Sequence, residues 1–145
     1  MDLLIPKPVS IKRGEGEYAL PAAVTVTIAS ATPQVRGVAA ELAALLRSAA
    51  GSDVTIHDGA DGGGQIALRL LQPGAGDRSQ LGREGYYLRI APDGILLEAV
   101  QPAGLFHAVQ TLRQLLPPPG KGHGGVTLPA GEIIDFPRFA WRGAM

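Results

Sequence analysis

Gly85-Tyr-Tyr-Leu-Arg-Ile-Ala-Pro-Asp-Gly-Ile-Leu-Leu-Glu-Ala-Val100 is the clearest hairpin signal in the chain. Two apolar runs flank Ala91-Pro-Asp-Gly94, where Pro92 presets φ and Gly94 accepts a positive φ. Tyr86 and Tyr87 are neighbours on the first run, so they point to opposite faces, one expected in the core and one exposed. A helix is expected directly afterwards. It begins near Pro102 and lines one face with Leu105, Val109, Leu112 and Leu116, with Phe106 and Leu115 beside it. Pro117-Pro-Pro119 stops it, because three prolines cannot continue a helical hydrogen-bond ladder.

Upstream, a second helix is bounded by its own punctuation. Thr32 suits the N-cap, Pro33 the first helical position and Gly51 the position just past the end. Val35, Val38, Leu42, Leu45, Leu46 and Ala49 recur at helical spacing between them. Before it, Val24, Val26 and Ile28 alternate with Ala23, Thr25 and Thr27, the period of a strand with one buried face. Val9–Ile11 and Tyr18–Leu20 read as short strands around a Gly14–Gly16 turn. Asp53–His57 and Gln65–Leu70 read as strands around the Gly-rich turn 58–64. After the prolines, Gly120–Gly125 reads as a loop, Val126–Leu128 as a short strand, and Gly131–Asp135 as a run into the closing stretch. The resulting order, β-β-β-α-β-β-β-β-α-β, predicts an α+β fold: a largely antiparallel sheet with two helices packed on one face. Few connections could be parallel crossovers, which argues against a doubly wound sheet.

Composition narrows the function classes. The 145 residues fit one domain, with 46% hydrophobic and 18% charged residues. Thirteen basic residues balance thirteen acidic ones with no basic stripe, so neither nucleic acid nor an anionic membrane is an expected partner. Cysteine is absent, which removes thiolate chemistry and leaves the compartment open. No charged segment followed by an apolar one reads as a signal peptide, and no apolar run approaches the roughly 20 residues that span a bilayer.

Candidate chemistry is sparse. Gly120-Lys-Gly-His-Gly-Gly125 matches G-x-G-x-x-G, but it follows a helix and prolines and opens a strand, the wrong context for a nucleotide loop. His57, His107 and His123 are scattered without a metal-ligand spacing, so no metal or other cofactor is expected. His107 reads as a partly buried packing residue. Ser10, Ser30, Ser48, Ser52 and Ser79 lack a nucleophile elbow. Asp58, Asp61 and Asp93 fall at turns and Glu41 on a helix surface, so no carboxylate pair is assembled by spacing.

The closing stretch, Asp135-Phe-Pro-Arg-Phe-Ala-Trp-Arg-Gly-Ala-Met145, stands apart. It holds the only Trp and two of the three Phe, and reads as the first strand of something larger. Arg142 follows Trp141 in an apolar strand. An isolated buried guanidinium is costly, so Arg142 is either paired structurally or aimed into a ligand site, where its rigid fork of donors suits hydroxyls or a carboxylate.

Glu84–Ile90, Gly94–Ala99, Gly104–Leu115 and the closing Pro-Arg-Phe-x-Trp-Arg-Gly-x-Met element, in this order and spacing, resemble the family 20 glycoside hydrolases, the β-N-acetylhexosaminidases. The resemblance covers nearly the whole chain, from Ile5-Pro-Lys-Pro8 onward. It implies that residues 1–135 form the non-catalytic α+β front domain, without a metal site, and that 136–145 begin the first strand of a (β/α)8 catalytic barrel. The sheet would face solvent and the helices the barrel. The reaction implied is removal of terminal β-linked N-acetylglucosamine or N-acetylgalactosamine with retention, the substrate's own acetamido group serving as nucleophile. The family's catalytic Asp-Glu dipeptide occurs nowhere in this chain, so the chain alone is expected to be inactive and to support its barrel. Arg142 matches the family's sugar-binding Arg. Two alternatives are a free-standing carbohydrate-binding module and the accessory domain of another glycosidase, of the α-glucuronidase or O-GlcNAc hydrolase type. Without the barrel, self-association through the uncovered helix face or the terminal strand is expected. The resemblance suggests a secreted or periplasmic enzyme, with a cytoplasmic one as the alternative because no signal peptide is read in this chain.

Overall fold

The computed structural model describes residues 10–29, 32–59, 65–71, 85–116 and 126–135. Seven strands form one sheet: β1 (Ser10–Ala19), β2 (Ala23–Ile28), β3 (Asp53–Asp58), β4 (Ile66–Leu70), β5 (Tyr86–Ala91), β6 (Gly94–Ala99) and β7 (Thr127–Asp135). Two helices, α1 (Pro33–Ala50) and α2 (Pro102–Leu115), pack against each other and share one face of it. The α+β expectation holds. In space the strands run β1-β7-β5-β6-β4-β2-β3. The β1-β7-β5-β6 half is antiparallel and carries the longest strands, while β6-β4, β4-β2 and β2-β3 pair in parallel.

The boundaries of α1 follow from its caps. Thr32 Oγ1 accepts a hydrogen bond from the Val35 amide at 3.3 Å, and Pro33 opens α1. At the other end Gly51 is left-handed, with φ 67°, and its amide donates to the Arg47 carbonyl at 3.0 Å. The face predicted from spacing is the buried one: Leu42 and Leu46 of α1, with Leu105 and Leu112 of α2, meet Val26, Leu68, Leu88 and Leu97 of the sheet. Phe106 turns outward instead, 41% exposed.

Three strand expectations change. Gly14–Gly16 does not separate two strands; β1 runs through it as one strand, with a register shift against β7 between Arg13 and Glu17, so the glycines form a bulge. The expected strand Val126–Leu128 and run Gly131–Asp135 likewise merge into one strand, β7, which begins at Thr127. Asp53–Asp58 and Ile66–Leu70 are not neighbours, because β2 lies between them and pairs in parallel with both. Strand patterning alone cannot tell a hairpin partner from a strand once removed. The hairpin Tyr86–Ala99 forms as expected, but Gly94 is required for more than its turn. A Cβ there would lie 2.5 Å from the Gln65 carbonyl oxygen, which accepts the Ile95 amide and joins β6 to β4. The expected loop Gly120–Gly125, Pro117–Pro119 and the closing stretch from Phe136 lie outside the described residues.

Candidate functional site

The adjacent tyrosines of β5 mark the two faces of the sheet. Tyr86 points at the helices and is buried, its hydroxyl sharing a hydrogen bond with the Thr111 hydroxyl of α2. Burial pushes the Tyr86 hydroxyl up to about 12; the bond to Thr111 works against this and the nearby Asp135 carboxylate adds to it. Asp135 stands directly across from Tyr86, so the chain leaves the described sheet beside this buried pair.

Tyr87 points to the opposite face and is also buried, at 3% exposure, against the expectation that one of the two tyrosines would be exposed. The cause is a polar layer on that face. The Tyr87 hydroxyl donates to Glu132 Oε1 of β7. Glu98 of β6, directly across from Tyr87, is buried and accepts from Arg69 Nη1 of β4 at 3.2 Å. Arg89 stands across from Glu132, and Lys12 of β1 flanks the same glutamate from the other side. Composition-based reading missed this layer. Its signal was present: Arg69, Arg89, Glu98 and Glu132 each interrupt an apolar strand at the position that alternation assigns to the open face.

The Glu98 and Glu132 carboxylates on this face are each engaged, one by Arg69 and one by Tyr87. Engaged in this way, they brace the open face of the sheet. Among the described residues no group of three or more His, Cys, Asp or Glu could hold a metal ion. His57 lies exposed on β3, and His107 is exposed rather than partly buried, its ring edge-on to Phe106 with centroids 6.1 Å apart. The α2 periodicity explains the difference, since Leu105 and Ala108 take the buried positions on either side. Ser52 donates to the Pro21 carbonyl at 3.0 Å, while Ser48 and Glu41 lie on the outer side of α1. Asp58 pairs with Arg36 and Asp93 is exposed in the hairpin turn. The buried hydroxyls of Tyr18 and Thr27 lack a partner but sit on strands in opposite halves of the sheet, so they do not converge on one site. Asp61, Ser30, Ser79, His123 and Arg142 lie outside the described residues. No helix among the described residues is long and apolar enough to cross a membrane.

With this geometry in place, comparison with known proteins is specific. The family model described as glycosyl hydrolase family 20, domain 2, matches residues 3–136. A beta-N-acetylhexosaminidase of Cellulomonas fimi is 31% identical over 140 residues, covering 97% of this chain and 27% of that protein. The N,N'-diacetylchitobiase of Vibrio harveyi is 29% identical over 143 residues, covering 98% of this chain and 14% of that protein. Among solved structures, the Streptomyces plicatus N-acetyl-beta-hexosaminidase in complex with Thio-NAglucal matches with a TM-score of 0.80 and 38% identity, over 96% of this chain and 27% of that one. The chain therefore spans a minor share of the length of each of these relatives.

Proposed function

Since the chain belongs to glycosyl hydrolase family 20 as its domain 2, we propose that it is the supporting front domain of a longer β-N-acetylhexosaminidase. The observation that carries this is the pairing of near-complete coverage of this chain with about a quarter of the Cellulomonas and Streptomyces relatives. Residues 1–135 form the non-catalytic domain and 136–145 begin the first strand of the barrel. The whole enzyme removes terminal β-linked N-acetylglucosamine or N-acetylgalactosamine from glycans with retention, through the substrate's acetamido group. The chitobiase among the relatives favours chitin-derived substrates. The helix layer faces the barrel. The braced polar sheet face, with Glu98 and Glu132 already engaged, suits a surface that stays in water.

Arg142 is the residue of this chain that reaches the sugar, donating to hydroxyls of the terminal residue. Reading the gene beyond codon 145 should reveal a continuing frame with an Asp-Glu pair. A chromogenic N-acetylglucosaminide should be cleaved by the longer protein and left intact by the 145-residue chain; turnover by the chain alone would overturn this reading. In the longer protein, Arg142→Ala should lower kcat/KM about 10- to 150-fold, corresponding to the roughly 1.5–3 kcal/mol of a charged hydrogen bond, with little change in Tm. A lowered Tm with kcat/KM intact would assign Arg142 to structural pairing instead.

A further inference from the structure

Among the described residues β3 is an outer strand of the sheet, paired on one side with β2. The amides of Asp53 and Gly59 donate to the carbonyls of Ala22 and Ile28, at 2.8 and 3.0 Å. Backbone groups of alternate strand residues face opposite neighbours, so Val54, Ile56 and Asp58 present theirs to the open side. Such a row is a template for an added strand. Ile56 at its centre is 37% exposed and, with Phe106, makes up the exposed large hydrophobics among the described residues. The ends of the row are not open. Arg47 of α1 donates from Nη2 to the outward carbonyl of Val54 at 3.1 Å, and Arg36 of α1 pairs with the Asp58 carboxylate.

We propose that Arg47 and Arg36 guard the β3 edge against strand addition by a second copy of this chain. Antiparallel self-pairing centred on Ile56 would set Val54 of one copy opposite Asp58 of the other. Arg47 of the first copy would then stand against the Arg36–Asp58 ion pair of the second and crowd each end of the ladder. Arg47 would also have to release the carbonyl that the new ladder needs. The helix thus closes the ends of an edge whose centre is the exposed, apolar Ile56.

The test is sedimentation velocity on the 145-residue chain, with hydrogen exchange read at the Ile56 amide. Arg47→Ala should shift the sedimenting mass toward two copies as concentration rises, beyond any association of the parent chain, and slow exchange at Ile56. Adding Ile56→Lys to Arg47→Ala should abolish both effects by placing a charge at the centre of the edge. An Arg47→Ala protein with the parent's mass and exchange would overturn the proposal. So would extra association that persists in the double variant, since that would come from loosened folding or another surface.

Discussion

Two glycines show how differently one residue type can act. Gly104 lies in the first turn of α2, where an added Cβ would fall 2.1 Å from the Gly85 carbonyl oxygen and 2.7 Å from Ala99 Cβ. Those atoms belong to the backbone before β5 and to the end of β6, and neither can swing away. Gly104→Ala should therefore cost at least the roughly 1–3 kcal/mol typical of overpacking, read as a lowered urea midpoint. Gly37 is in α1 with nothing within 4 Å of its added Cβ, so Gly37→Ala should stabilise by about 1 kcal/mol in the same experiment. Equal effects of the two changes would show that propensity, not close approach, governs both sites. Tyr86 carries a pH consequence. Its folded value, about 12, lies above its ordinary 10.0, so its neutral form is the one the fold favours. The sign follows: this contribution is full below pH 10 and is lost as pH rises through about 12. Tyr86→Phe should flatten that alkaline loss in denaturation measured from pH 9 to 12. It should also cost about 1–3 kcal/mol near neutrality by leaving the buried Thr111 hydroxyl unpartnered.

At the scale of elements, legibility tracks how local the determining physics is. Thr32, Pro33 and Gly51 bound α1 through contacts within a turn of chain, so its ends could be read from residue types alone. The hairpin Tyr86–Ala99 is equally local. What could not be read depends on partners distant in sequence. Whether Asp53–Asp58 pairs with Ile66–Leu70 is decided by β2, some thirty residues earlier, inserting between them. Whether Gly14–Gly16 turns or bulges is decided by β7, more than a hundred residues later, which supplies a partner on both sides of it. Burial of Tyr87 depends on Glu132 and Glu98 arriving from two other strands. Arg142, the proposed sugar-binding residue, is singled out in the sequence by its motif, and it lies outside the described residues.

On the scale of the whole molecule, the two faces of the sheet have different unfinished business. The open face satisfies itself: Tyr87, Glu132, Glu98 and Arg69 pair across strands and leave no large apolar side chain exposed there among the described residues. The helix layer does not. Phe106 projects from α2 at 41% exposure, with the His107 ring against it. Fully burying a Phe side chain is worth about 1.5–3 kcal/mol, so a docked barrel has something to gain at this position that the isolated chain forgoes. Phe106→Ser should therefore change the stability of the 145-residue chain by no more than about 0.5 kcal/mol, the range of ordinary surface changes. In the longer enzyme the same substitution should lower Tm and raise susceptibility to proteolysis between the domains. If the isolated chain self-associates through its helix layer, as expected for an uncovered docking face, light scattering should show that association weakened by Phe106→Ser and unaffected by Ile56→Lys. Equal destabilisation of the short and long proteins would mean that Phe106 packs within this domain alone. The docking face would then have to be sought elsewhere on the helices.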